Sequence, residues 1–444
     1  MRHRFNAPPK PAGFTLIEIM VALVIGVLST LVIMKMFAVS EGYKRTTSSG
    51  ADAQTNSAVA LYLIERDVRQ AGFGMAPNLE DFASTPLLSN PPNGPLTGGV
   101  LALCPTVNAY HSGRTITYGN SLFAPVLINP QDATGSLVFP AGDVNTDLIL
   151  VNYGASGDLA GKGIDITTNS STTQSGGDAL DYAATASRAG INQGDLILVV
   201  PPTGSGLACS IREVTGLPVS AAPGQCTTAI IGGINQINNN SNVNYENYYT
   251  GCTTVTPSWN QPGGSGVTYN AGSKVYSLGP VGRFVSRVYA VRGGNLTMCD
   301  FTAKDCTDST KTGDATYWTP IASGIVGFGA QYGKDDGSSG GTANDGIVDG
   351  WDNTQPTGTA RAQVISFRMA VVARNQQYEK TDSSGNDVTM ANPVWQPDVP
   401  GTANITVDIS QSLGTANPNL WKHYRYRLAQ TVVPLRNMIW GQQK

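Results

Sequence analysis

Apolar positions are distributed very unevenly along the chain. Residues 14–38 form an almost unbroken apolar run in which only Glu18 and Lys35 are charged. As a helix rising about 1.5 Å per residue, such a run spans the roughly 30 Å hydrocarbon core of a bilayer. A second pattern follows. Leu61, Ile64, Val68 and Ala71 recur at i, i+3, i+7 and i+10 with Glu65, Arg66 and Asp67 between them, which is the spacing of a helix with one apolar face. Gly72, Gly74 and Pro77 end it. Together these patterns predict one helix from residue 14 to about residue 70, roughly 85 Å long. Gly26, Gly42 and Gly50 are the expected bends, and the polar stretch 46–50 the expected local break.

Beyond residue 72 the period changes. Residues 147–153 and 195–200 share Asp-Leu-Ile-Leu-Val, and residues 364–373 form another β-branched apolar run, all suited to strands buried on both faces. The shared pentapeptide occurs at a spacing of 48 and only once more, too little for a solenoid. Residues 284–291, the turn Gly293-Gly294-Asn295 and residues 296–299 read as a hairpin. Residues 424–433 read as a closing strand that Pro434 limits. The fold class is therefore α+β: a long N-terminal helical spine, its first half membrane-spanning, packed against a large β-rich C-terminal head with long loops. The Ser/Thr/Gly-rich stretch 154–190 and the Asn/Tyr-rich stretch 235–250 are expected to be solvated connections. No linker divides the part after the spine.

Composition narrows the class. The 51 Gly and 26 Pro with only 13% charged residues suit a loop-rich head and exclude a coiled-coil rod, while 41% hydrophobic content is too low for a polytopic membrane protein. Lys and Arg minus Asp and Glu is 28 − 31 = −3, and removal of Arg2, Arg4 and Lys10 with a leader gives 25 − 31 = −6. Bulk nucleic-acid affinity needs the opposite sign, so nucleic acid is an unlikely partner despite the basic stretch 422–427.

The leader is the most informative segment. Residues 1–13 are short, polar and basic, which keeps them cytoplasmic and sends everything after the apolar run across the membrane. A secretory signal carries its small cleavage-site residues after the apolar core, whereas here the small residue, Gly13, precedes it. Gly13-Phe14-Thr15-Leu16-Ile17-Glu18 resembles the cleavage site of type IV prepilins and type II secretion pseudopilins. The resemblance implies cutting between Gly13 and Phe14 by a prepilin peptidase and N-methylation of Phe14. Glu18 supports it on physical grounds, because an ionisable group inside a spanning helix costs roughly 2.5 to 3.5 kcal/mol on insertion scales and so marks a function. The resemblance makes Glu18 the assembly contact, paired with a neighbouring subunit's Phe14 amine.

Three further stretches are similar to the PilW-like minor pilins, relatives of the J-type pseudopilins. They are residues 63–73 (Leu-Ile-Glu-Arg-Asp-Val-Arg-Gln-Ala-Gly-Phe), Gln331-Tyr332-Gly333 running into Asp345-Gly346-Ile347-Val348-Asp349, and residues 431–437 (Thr-Val-Val-Pro-Leu-Arg-Asn). The resemblance implies a cleaved leader at 1–13, a pilin helix at 14–72 with its transmembrane segment at about 14–38, and an exported head at 73–444. It implies a non-enzymatic minor pilin that joins other minor pilins in a priming or tip complex of the type IV pilus. The implied partners are the major pilin, the prepilin peptidase, an inner-membrane assembly platform and a large PilY-type tip adhesin. The implied location is the inner membrane, then the pilus on the cell surface. The alternatives are a J-type secretion pseudopilin, or a tip adhesin for a surface or glycan.

Two side-chain groups remain. Asp335, Asp336, Asn344, Asp345 and Asp349, with Asp352 beyond, could hold Ca2+, although an EF-hand order would need oxygen ligands where Ala343 and Gly341 stand. No other cofactor is expected. Cys104, Cys209, Cys226, Cys252, Cys299 and Cys306 are an even count in an exported segment, which favours disulfides over zinc. Spacing suggests Cys299 with Cys306 and Cys209 with Cys226, leaving Cys104 for Cys252. Catalysis finds no support: His111 and His423 are the histidines beyond the leader, and the Gly337-Ser338-Ser339-Gly340-Gly341 match to a nucleophile elbow has no helix after it.

Overall fold

A computed structural model describes residues 13–75, 104, 106–119, 122–155, 164–165, 194–202, 205–214, 248–250, 253–255, 258–260, 269, 272–381, 384–395, 404–414 and 416–440. Cys226, Cys252 and most of the 154–190 and 235–250 stretches lie outside them. Helix α1 runs over Leu16–Gln70 as one 55-residue element. The break expected at 46–50 does not occur. Glycine weakens a helix by only about 1 kcal/mol relative to alanine, and the polar residues there still supply backbone hydrogen bonds, so well-formed turns on either side carry the helix through.

Among the described residues the head contains three sheets of four or more strands. The first has six strands in the order β2 (Arg114–Tyr118), β1 (Val107–His111), β7 (Cys209–Glu213), β6 (Asp195–Val200), β10 (Lys274–Pro280) and β5 (Ile164–Asp165). The second has five: β13 (Thr319–Ser323), β12 (Asn295–Asp300), β11 (Val285–Arg292), β4 (Ile149–Tyr153) and β3 (Val126–Ile128). The third has four: β15 (Gly350–Asp352), β14 (Ile325–Lys334), β16 (Val364–Arg374) and β19 (Tyr426–Pro434). Two small hairpins pair β8 (Tyr248–Thr250) with β9 (Thr253–Val255) and β17 (Val394–Trp395) with β18 (Ile405–Thr406). A short helix α2 (Arg436–Trp440) follows β19.

The expected strands are present. The two Asp-Leu-Ile-Leu-Val segments become β4 and β6, fully buried but in different sheets, so the echo is no structural repeat. β11 and β12 form the hairpin across Gly293-Gly294. The closing strand starts later than expected, at Tyr426, because Leu420–His423 coil into a 3-10 turn.

The spine lies on the third sheet. Ala53, Ser57, Ala60, Leu61, Ile64, Val68 and Ala71 are buried, and α1 contacts β19, β16, β14, β13 and β4. Small residues at 53, 57 and 60 let the helix approach the strands closely, and the larger stripe below them fills the joint; each buried Leu, Ile or Val is worth roughly 1.5 to 3 kcal/mol. β16 is covered on both faces, as its unbroken apolar run predicts. Phe367, Met369, Val371 and Ala373 enter the main core, while Ala370 and Val372 join a second cluster with Val326, Trp395, Val407, Ile409 and Trp421.

Candidate functional site

The spine opens on a capping box. Thr15 N and Thr15 Oγ1 each donate to Glu18 Oε2 at 2.8 Å, and Glu18 N donates to Thr15 Oγ1 at 3.3 Å. This satisfies two otherwise orphaned N–H groups of the first turn. It also gives the Glu18 carboxylate an internal partner in the single chain. Beyond it, an 18-residue stretch within Leu16–Gly42 reaches a mean hydropathy of 2.7, and none of that stretch is covered by the head. Phe14 and the large apolar side chains from Leu16 to Val39 are all exposed. Water does not tolerate so long an apolar surface, so this half of the spine must be covered by lipid or by other helices.

The other end of the spine carries a polar joint. Asp67 is fully buried on α1. Its Oδ2 accepts from Tyr289 Oη at 2.6 Å and Arg287 Nη1 at 2.8 Å, both on β11. Its Oδ1 accepts from Tyr153 Oη on β4 and from Arg66, each at 3.3 Å. Burial and the Asp67 charge push the Tyr153 phenol up to about 12. Burial pulls the Arg287 guanidinium down, but the hydrogen bond to Asp67, the Asp67 charge and the two tyrosines together outweigh this and raise it. Asn437, just after β19, closes the same joint by donating from Nδ2 to the carbonyls of Gln70 and Ala71 at 3.2 and 3.0 Å. Two of the three further stretches singled out in the sequence, residues 63–73 and 431–437, therefore meet where spine and head join. The third supplies Gln331 and Tyr332 on β14, with Tyr332 Oη accepting from Ile128 N.

The acidic loop lies at the far end of β14. Asp335, Asp345 and Asp349 present carboxylate oxygens within 4.8 Å of one another. Asp335 is fully buried and accepts from Asp345 N and Gly346 N at 3.2 and 2.7 Å, while Asp349 accepts from Gly337 N at 2.6 Å. Gly341 is needed for this approach, since a Cβ there would lie 1.6 Å from Asp349 Oδ1. Asp336, expected to join the group, turns instead to Ser338 N at 3.0 Å. Asp352 also points elsewhere, pairing with Lys334 at 2.7 Å. Asn344 Oδ1 is buried with no hydrogen-bond partner. Three carboxylates and an unmatched amide oxygen are the donor chemistry of a hard cation.

Cys299 and Cys306 are bonded, as spacing suggests. Cys209 pairs with Cys104 rather than Cys226, and Cys104 is thereby not the partner of Cys252. The cause is topological. β1 and β7 run parallel with Val107 opposite Cys209, which brings residue 104 alongside across a separation of 105. Neither histidine is placed for catalysis: His111 Nδ1 meets the Thr302 carbonyl and stacks on Trp259, and His423 Nδ1 meets the Glu379 carbonyl and stacks on Tyr378.

Residues 288–437, from β11 through the Asn437 clasp, match the family model of the Type IV pilus-assembly protein W. Residues 9–34, spanning the leader junction and the capping box, match the prokaryotic N-terminal methylation motif. Together the two matches support a PilW-like type IV minor pilin. Among solved structures it is similar to the type IV-like pilin TTHA1219 from Thermus thermophilus, at 13% identity over 35% of this chain and 68% of that one, with a TM-score of 0.19. No curated protein matches the chain. The minor pilin's matched region contains β14, β16, β19 and Asn437, the elements on which its spine rests. The matched family is one of pilus-assembly proteins.

Proposed function

We propose that this minor pilin is stored in the inner membrane with its leader cytoplasmic and its head periplasmic, is cut between Gly13 and Phe14, and is then N-methylated on Phe14. It joins other minor pilins in a complex that primes the pilus and ends at its tip, beneath a large PilY-type adhesin and above the major pilin. The observation that carries this reading is the uncovered apolar half of the spine, with the Glu18 carboxylate one helical turn from Phe14. In the bilayer that carboxylate is held by Thr15 alone. A neighbour's Phe14 amine offers it a full opposite charge, so the assembled state is favoured over the stored one. A deletion strain tests the assignment. Loss of surface fibres supports assembly, normal fibres with lost attachment support the tip adhesin, and normal fibres with lost protein secretion support a J-type pseudopilin.

A second reading concerns the acidic loop: Asp335, Asp345 and Asp349, with the Asn344 amide oxygen, would hold Ca2+ and so fix the turn between β14 and β15. Calorimetric titration of the chain with Ca2+, before and after Asp349→Asn, tests it.

A further inference from the structure

Arg368 stands at the centre of the third sheet and is only 1% exposed. Buried arginines are normally paired with a carboxylate, because an uncompensated charge in the interior is costly. No carboxylate pairs with this one among the described residues. Its Nε donates to Gln331 Oε1 at 2.8 Å, and its Nη2 shares that same oxygen. Its Nη1 is buried without a partner. Burial pulls the guanidinium down to about 10.

Two indoles complete the surroundings. The Arg368 guanidinium carbon lies 4.6 Å from the ring centroid of Trp351 on β15 and 5.3 Å from that of Trp395 on β17. β14 makes room for them: Gly329 lies under Trp395 and Gly333 under Trp351, with Gln331 between the two glycines on the same face. A Cβ at Gly333 would meet the Trp351 ring at 2.9 Å. Cation–π contact offsets part of the buried charge. It leaves two donors unused, because Trp351 Nε1 is also buried with no partner. One buried cation, two unmatched N–H groups and no acid make an anion site in all but its occupant.

We propose that Arg368 Nη1 and Trp351 Nε1 bind a small monovalent anion of chloride size, enclosed by the Trp351 and Trp395 indoles. Two N–H donors do not suit a phosphate dianion. Trp351 is itself partly exposed and forms the way in. The occupant would also tie β15, the edge strand that follows the acidic loop, to the central strand β16.

The test is an anion series on the full-length chain in detergent at constant ionic strength. Chloride and bromide should raise the melting temperature saturably over gluconate, by about 2 to 4 °C at ten times the half-saturating concentration. Bromide or iodide should also quench part of the tryptophan emission saturably, over the same range. Arg368→Met and Trp351→Phe should each remove the saturable component of both signals. General salt effects on stability run linearly with concentration and distinguish themselves that way. Identical melts and purely linear quenching in the wild-type chain mean that a water fills the site, which overturns the proposal without relying on either variant. A saturable response that survives Arg368→Met overturns it as well.

Discussion

Asp67 on the spine and Arg287 on the central strand of the five-stranded sheet meet at 2.8 Å, although 220 positions separate them. The carboxylate is wholly buried, and two tyrosine hydroxyls share it with the guanidinium. Removing one member therefore leaves the others desolvated and unmatched. Asp67→Ala should destabilise the head by about 3 to 5 kcal/mol. The double variant Asp67→Leu with Arg287→Met should lose much less than the sum of the single losses, because it removes both charges together. Chemical denaturation of the four species measures this, and additive losses would show that the joint is not held by this pair.

The Cys104–Cys209 bond closes a loop of 105 positions, whereas Cys299–Cys306 closes one of 7. If loop entropy dominates, removing the first costs about 4 to 5 kcal/mol and the second about 2 to 3 kcal/mol. Nonreducing peptide mapping should recover both linkages, and double Cys→Ala variants should melt in that order. Recovery of a Cys209–Cys226 peptide would contradict the parallel pairing of β1 and β7.

Local patterns and long-range partners divided sharply in how far they could be read. The buried stripe Leu61, Ile64, Val68 follows from helical spacing alone, and β4, β6 and β16 follow from unbroken apolar runs, because each is dictated by neighbours a few residues away. The N-terminal methylation motif was legible for the same reason. The partner of Cys104 was not, since it depends on which strands become parallel neighbours across a hundred residues. Asp67 stood out only as one of the charged residues between the apolar positions of the helix. Its position three residues after Ile64 was the available signal, for it places the carboxylate at the edge of the apolar stripe. Arg368 carried a plainer one: a lone charge inside the apolar run of β16.

Asp147 sets up a pH dependence. Burial raises its carboxyl above the ordinary 3.8, against hydrogen bonds from Ala330 N and Asn129 Nδ2. A raised folded value means the unfolded chain gives up the proton first. The contribution of Asp147 is therefore fully present below 3.8 and declines as pH rises through the raised value. Asp147→Asn should be less stable overall, since an amide cannot accept both bonds, yet should lack that decline. Melts of both proteins across the acidic range check this, and parallel profiles would refute it.

If the acidic loop holds Ca2+, a chelator should lower the melting temperature of the wild-type chain and leave Asp349→Asn unchanged. The variant is the control for general effects of the chelator. Equal shifts in the two proteins, or none in the wild type, would retire the cation.

Glu18 separates membrane storage from assembly. Glu18→Ala removes a charge from a spanning helix, so insertion should be at least as favourable, and cutting after Gly13 should proceed because the junction is intact. Incorporation into fibres should fall. The argument is one of competing partners: in the single chain Thr15 supplies two hydrogen bonds to the carboxylate, while in the fibre a neighbour's amine supplies charge as well. Alanine loses the preference for the fibre and keeps the ability to span. Glu18→Gln retains size and the Thr15 contact but not the charge, and should behave like alanine. Thr15→Ala takes away the hydroxyl, one of the two competing donors, and leaves the backbone N–H and the charge, so its incorporation should equal or exceed that of the wild type. Immunoblots of sheared fibres and membranes, in a strain with no other copy, read all three. Wild-type incorporation of both Glu18 variants would show that the register of the fibre is set elsewhere, even with the family assignment intact.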